Sequence, residues 1–222
     1  MLGIISDIHG NYPALMAVLH ELDRLQVKDI ISLGDIAGYY SDVNQCCEAL
    51  KERNIKSVMG NHDWYLVSGN PCPRSDSANR CLEYQRTIIT AENLAWLTNL
   101  PTERVISGVR VVHGGWSDPL DEYLVPSEKY FLELEGNAFS SGHTHVPGIW
   151  NWGEKQYCNP GSVGQPRDGN PKAAFALWDG YSFEIHRVQY DIVETQERMT
   201  MAGFERYFYE NLSFGLRIGQ EI

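Results

Sequence analysis

No apolar run in this chain of 222 residues reaches the ~18 residues that a membrane-crossing helix needs, so no such helix is expected. The first residues, Met1 to Asp7, have neither the basic lead-in nor the long apolar stretch of a signal peptide, and the expected location is cytoplasmic. Cysteine is scarce and odd in number. Cys46, Cys47, Cys72, Cys81 and Cys158 have no CxxC spacing and read as free thiols, with a Cys72–Cys81 bridge as the lesser alternative. Positive charge is also short, 18 Lys and Arg against 29 Asp and Glu for a net charge of −11, and no basic stripe is present. That balance repels polyanions and disfavours extended nucleic acid. A small phosphorylated partner, with a nucleotide among the candidates, stays compatible because bound cations can reverse the local sign. Self-association is open. No repeat, low-complexity tract or linker interrupts the chain, and 43% hydrophobic residues suffice for one core, so residues 1–222 are expected to form a single domain.

What is present is an alternation of strands and helices. Leu2–Ser6, Ile30–Leu33 and Lys56–Met59 read as strands. Leu15, Val18, Leu19, Leu22 and Leu25 recur at helical spacing, and Val43–Arg53 forms a second helix. This β-α-β-α-β order implies parallel strands and an α/β fold. Residues 64–100 read as mostly helical, with a segment from Ser75 to Ile89 and another capped by Thr90. Strands follow at Arg104–Ile106, Arg110–Val112, Ala138–Ser141, Gly148–Trp152, Ala173–Trp178 and Tyr181–Val188. Asp179-Gly180 is the turn of the last hairpin, and Asn159–Gly169 reads as a long loop. An amphipathic helical segment is expected over about 191–212.

Five of the seven histidines arrive in short polar blocks after apolar runs: Asp7-Ile8-His9, Gly34-Asp35, Gly60-Asn61-His62-Asp63, Val112-His113-Gly114 and Gly142-His143-Thr144-His145. In open α/β sheets the strand ends that precede such blocks form ligand crevices. Asp7, His9, Asp35, Asn61, His113, His143 and His145 offer oxygen and imidazole donors without thiolate, a set for Mn, Fe, Zn or Mg. Seven donors exceed the needs of one catalytic ion and suit two ions ~3.5–4 Å apart, with Asp35 as the natural bridging carboxylate. Two divalent ions against Asp7 and Asp35 leave positive charge for a hydroxide and a phosphate group.

The order D-x-H, GD, GNH[DE], lone His, GHxH is similar to that of the calcineurin-like metallophosphoesterases. The runs Asp7–Leu15, Gly34–Tyr39 and Asn159–Arg167 resemble a small bacterial and archaeal branch of that family. The resemblance covers about residues 1–190. It implies a four-layer α/β/β/α sandwich of two mixed sheets and a hydroxide bridging two divalent metals, manganese first, with iron, zinc, magnesium or nickel as alternatives. One ion would be held by Asp7, His9, Asp35 and His145, the other by Asp35, Asn61, His113 and His143. His62 would protonate the leaving oxygen, with Asp63 holding its imidazole.

The implied activity is hydrolysis of a phosphomonoester or phosphodiester. A dinucleoside-polyphosphate hydrolase or a Ser/Thr-type protein phosphatase is the alternative, and a non-enzymatic binding scaffold a remote one. Gly34-Asp35-Ile36-Ala37-Gly38-Tyr39-Tyr40 lacks the arginine of the protein-phosphatase pattern GDxxDRG, which speaks against a phosphoprotein substrate. Arg167 is a candidate phosphate-binding residue. Tyr39 is a candidate substrate contact, and with Tyr40 and Trp64 it offers a ring for a base or for plain packing. His20 and His186 read as structural or surface residues. Whether residues 70–82 cover the site is not decided by their composition.

Overall fold

The structure, a computed structural model, describes residues 1–221. β1 (Leu2–Ile5), α1 (Tyr12–Arg24), β2 (Asp29–Ser32), α2 (Val43–Glu52) and β3 (Lys56–Ser57) come first. Three helices follow, α3 (Asn61–Ser68), α4 (Asp76–Ile88) and α5 (Ala91–Thr98). Then come β4 (Glu103–Ile106), β5 (Val109–Val112), α6 (Glu128–Leu132), β6 (Ala138–Ser140), β7 (Gly148–Trp152), β8 (Lys155–Asn159), β9 (Ala173–Trp178), β10 (Phe183–Val188) and α7 (Ile192–Met201). Two five-stranded mixed sheets result, in the orders β10-β9-β1-β2-β3 and β4-β5-β6-β8-β7. β1, β2 and β3 are parallel, as are β5, β6 and β8, and antiparallel strands complete each sheet.

The two-residue period of β1 explains the layering. Leu2 and Ile4 face Val109, Val111 and Cys158 of the other sheet, whereas Ile5 faces the helices, with Leu15, Leu19 and Leu22 of α1. Gly3 lets α1 lie close, since a Cβ there would meet Leu22 at 3.0 Å. β9 is buried on both faces, which fits its uninterrupted apolar run. The fourth layer is thin: the short helix α6 and an aromatic cluster of Phe131, Phe139, Tyr157, Trp150 and Trp152 cover the second sheet. Among the described residues no helix is long and apolar enough to cross a membrane.

The structure departs from the sequence expectations at four places. β8 was not foreseen, and only its last residue, Asn159, falls in the expected loop; with Lys155 and Gln156 it has little apolar signal, and its pairing with β6 and β7 decides its state. α6 was not foreseen at all. The last hairpin does not turn on Asp179-Gly180 alone. Tyr181 and Ser182 donate their amides to Asp179 Oδ1 at 2.7 and 2.8 Å, and pairing begins at Phe183. The C-terminal helical segment stops at Met201, where Gly203 at φ +84° lets Phe204 N reach Met199 O at 3.0 Å, a Schellman closure; short 3-10 turns then carry the chain on. All five cysteines are free and buried, so there is no Cys72–Cys81 bridge.

Candidate metal centre

The parallel strands of both sheets end at one edge, and every polar block is delivered there. Asp7 and His9 follow β1, Asp35 follows β2, and Asn61 and His62 open α3 just after β3. His113 follows β5, and His143 and His145 follow β6. All eight side chains are buried. Ligand atoms of Asp7, His9 and His145 lie within 4.8 Å of one another, as do those of Asp35, His113 and His143. His9, Asp35 and His62 form a third such group, so His62 stands nearer to ligand range than its expected role implied.

Backbone geometry serves this convergence. Asp7, His9, Asp35, His143 and His145 all have left-handed φ, between +52° and +66°. Such a conformation costs a non-glycine residue roughly 1–2 kcal/mol, so it persists only where the surroundings over-determine it. They do. His9 N donates to Asp35 O at 2.8 Å, Asp7 N to Gly34 O at 3.1 Å, Gly142 N to His113 O at 2.9 Å, and Gly164 N to Asp7 O at 2.9 Å. The carboxylates are pinned too: Asp35 Oδ1 accepts from His62 N at 2.8 Å, and Asp7 accepts from His143 N at 3.1 Å.

The donor set fits divalent cations. His9 Nδ1 donates to Ala37 O at 2.9 Å and His145 Nδ1 to Gln165 O at 2.6 Å. Burial holds both imidazoles well below the ordinary histidine pKa, so each is neutral with a bare Nε2. Those two acceptors face each other at 3.0 Å, an arrangement a cation between them would relieve. His113 donates Nδ1 to Leu33 O at 2.8 Å, and its Nε2 lies 3.0 Å from Asn61 Oδ1 and 3.2 Å from His143 Nδ1. Burial opposes a charge on His113, but the Asp35 carboxylate outweighs it and lifts the pKa to about 9, so a proton holds the place of a cation. Burial and the neighbouring His113 hold His143 down to about 2, and burial pushes Asp7 up to about 6. Burial works against charge on Asp35 as well, yet His113 and His62 keep it ionised. Its Oδ2 is buried without a hydrogen-bond partner among the described residues, 3.6 Å from His9 Nε2 and 3.3 Å from His113 Nε2.

Asp63 departs from its expected role. Its carboxylate accepts from Ala37 N at 2.8 Å and from Gly60 N at 3.0 Å, while His62 Nδ1 has no partner among the described residues. As the third residue of α3 it reaches back to the helix start, as capping geometry dictates, and so turns away from the imidazole beside it. Arg167 and Tyr39 line a cavity of about 400 Å³ over the cluster, the guanidinium carbon 5.4 Å from the Tyr39 ring centre. Tyr40 is buried against Gln165 and Trp64 faces outward; neither lines the cavity. His20 and His186 lie elsewhere, on α1 and β10.

Several contributors were not singled out from the sequence. Gln165 accepts from His145 with its backbone and from Arg167 Nε at 3.0 Å with Oε1, coupling ligand and guanidinium. Gln85 clamps the glycine-containing turn after Asp35, accepting from Gly38 N at 2.9 Å and donating to Tyr40 O at 2.6 Å. Of residues 70–82, whose place over the site the sequence left open, Cys72, Arg74 and Ser75 form a wall of the cavity; Tyr123 and Arg217 line it as well. Asn159–Arg167 signalled Gln165 by its place in the motif; the others have no local signal.

A model of the calcineurin-like phosphoesterase superfamily domain matches residues 1–180. An uncharacterised protein of Methanocaldococcus jannaschii is 34% identical over 97% of this chain and 98% of its own length. A metallophosphoesterase from Sphaerobacter thermophilus, of solved structure, is 33% identical, covering 97% of this chain and 98% of that one, with a TM-score of 0.84. A hypothetical protein from Pyrococcus horikoshii OT3 is 22% identical over 98% of this chain and all of its own, with a TM-score of 0.88, and shares the fold.

Proposed function

The chain belongs to the calcineurin-like phosphoesterase superfamily, and on that premise we propose that it is a metal-dependent hydrolase of a phosphomonoester or phosphodiester. One observation carries the reading: the unpaired Asp35 Oδ2, buried between an imidazole of each ligand group. Asp7, His9, Asp35 and His145 would hold one divalent cation and Asp35, Asn61, His113 and His143 the other. The donors are oxygen and imidazole alone, which admits manganese, iron, zinc, magnesium or nickel, with manganese put first by the family resemblance. Bound ions of this kind supply Lewis acidity toward phosphoryl oxygens and a water-derived nucleophile near neutral pH.

The chain's own groups do the rest. Arg167, oriented by Gln165 and stacked on Tyr39, presents its fork to phosphoryl oxygens in the cavity. His62 lines the same cavity and lies outside the expected ligand set, so it is the group that would hand a proton to the leaving oxygen. In the free protein burial keeps its pKa below the ordinary value; a phosphate dianion beside it would favour the protonated form. The candidate ligand side chains at the floor of the cavity are buried, which strengthens the charge interactions there.

The test is hydrolysis of aryl phosphomonoesters, phosphodiesters and dinucleoside polyphosphates by protein loaded with Mn, together with metal analysis. Two ions per chain and turnover on at least one class are expected, and inactivity on all of them ends the proposal. His62→Ala should lower turnover by about 10²–10⁴-fold while both ions stay bound; loss of an ion would instead make His62 a ligand.

A further inference from the structure

The cavity over the ligands carries the opposite sign from the molecule. The chain has a net charge of −11, yet Arg74, Arg167 and Arg217 line this cavity and Asp35 is the one acidic residue in its wall. Their partners distinguish the three. Arg74 is committed to the Asp121 carboxylate, which also accepts from Tyr65 Oη at 3.0 Å, and its guanidinium stacks on Tyr123. Arg167 has neutral partners, Gln165 and the Tyr39 ring. For Arg217, among the described residues, no carboxylate or other side chain pairs with the guanidinium.

The segment that brings Arg217 there is built rather than trailing. Asn211, itself buried, donates to Arg217 O at 2.6 Å and Gln220 O at 2.8 Å, and Gln220 N closes a turn on Arg217 O at 3.1 Å. Gly169 N donates to Gly215 O at 3.1 Å, tying the tail to the loop that carries Arg167. Beyond the 400 Å³ cavity lies an open hollow of about 540 Å³ that shares Arg167, Arg217 and Ile218 with it. The inner volume alone is in the range of pockets that hold a molecule of drug size. A lone phosphoryl group would occupy only its floor.

We propose that Arg217 forms a second anion subsite, outward of the reacting phosphorus, and that the substrate therefore carries at least two linked phosphate groups. This deepens the phosphoesterase reading and rests on it for the position of the reacting group. The inner phosphoryl group lies over the metal ligands with Arg167, and the next phosphate meets the fork of Arg217, whose planar donors match two phosphate oxygens. The remainder of the substrate extends into the outer hollow.

Calorimetric titration of the Mn-loaded protein, at fixed free Mn, tests this with methylenediphosphonate as the two-phosphate probe and methylphosphonate as its one-phosphate counterpart. Arg217→Gln should weaken the first by about tenfold or more and leave the second within about twofold, the size expected for losing one charge-assisted contact. Arg217→Lys should restore part of the loss. Equal effects on both probes, or no effect on either, overturn the proposal. Phosphonoacetate bound as tightly as methylenediphosphonate would overturn the assignment of the second group as phosphate. Kinetics separate the two readings: the variant should raise KM for a dinucleoside polyphosphate and leave kcat and the KM for an aryl monophosphate unchanged. A wild-type protein that hydrolyses no phosphomonoester, phosphodiester or dinucleoside polyphosphate defeats the phosphoesterase reading, while the binding comparison still decides the subsite.

Discussion

Single atoms decide whether the proposed ligands of this site meet. A Cβ on Gly60 would stand 2.1 Å from Asp35 Oδ1, and one on Gly38, at φ +129°, would stand 2.3 Å from His9 Nδ1. Neither neighbour can yield, because each is held by a backbone hydrogen bond. Gly38→Ala and Gly60→Ala should therefore bind fewer than two ions per chain by elemental analysis, even where circular dichroism shows the fold retained. The thiols provide a contrasting expectation. Burial pushes Cys46, Cys47, Cys81 and Cys158 well up from the ordinary thiol range and Cys72 in the same direction. Thiolate is the reactive form, so the native protein at pH 8 should resist an alkylating reagent and react at all five positions once unfolded, as mass spectrometry would count.

At the scale of elements, the start of α3 is the joint on which the site turns, since one helical turn supplies Asn61, His62 and Asp63. Asp63→Ala strands the amides of Gly60 and Ala37, both buried, and should cost about 2–3 kcal/mol in a denaturant titration. Activity per folded molecule should fall far less than in His62→Ala, because Asp63 touches no imidazole. Much of this architecture was legible. β1, β2 and β3 announced themselves by apolar runs, and each polar block by its place after one, since periodicity and chain order are local properties. β8 was hidden because its state depends on two distant partners rather than on its own composition. The reach of Asp63 toward Gly60 was open to a capping reading, but its place beside His62 pointed elsewhere. Arg74 and Arg217 are 143 residues apart in sequence and share a wall only through the fold.

For the whole molecule, the proposed ligands are shared between the sheets. Asp7, His9, Asp35 and Asn61 hang from one, and His113, His143 and His145 from the other, so bound cations would tie the two together. Stripping the protein with a chelator should lower its Tm. At a metal concentration a hundredfold above Kd the lost stabilisation is about 2.7 kcal/mol per site, on the order of 5–10 °C for a chain of this size; differential scanning calorimetry with and without Mn measures it. The left-handed backbone at Asp7, His9, Asp35, His143 and His145 adds an opposing pull. Glycine adopts that conformation without penalty, so the change that relaxes the loop at each position is also the one that deletes a ligand. A library of variants screened for heat resistance in the presence of a chelator would drift toward glycine at these five codons, while one screened with Mn present, or for turnover, would refuse every such step.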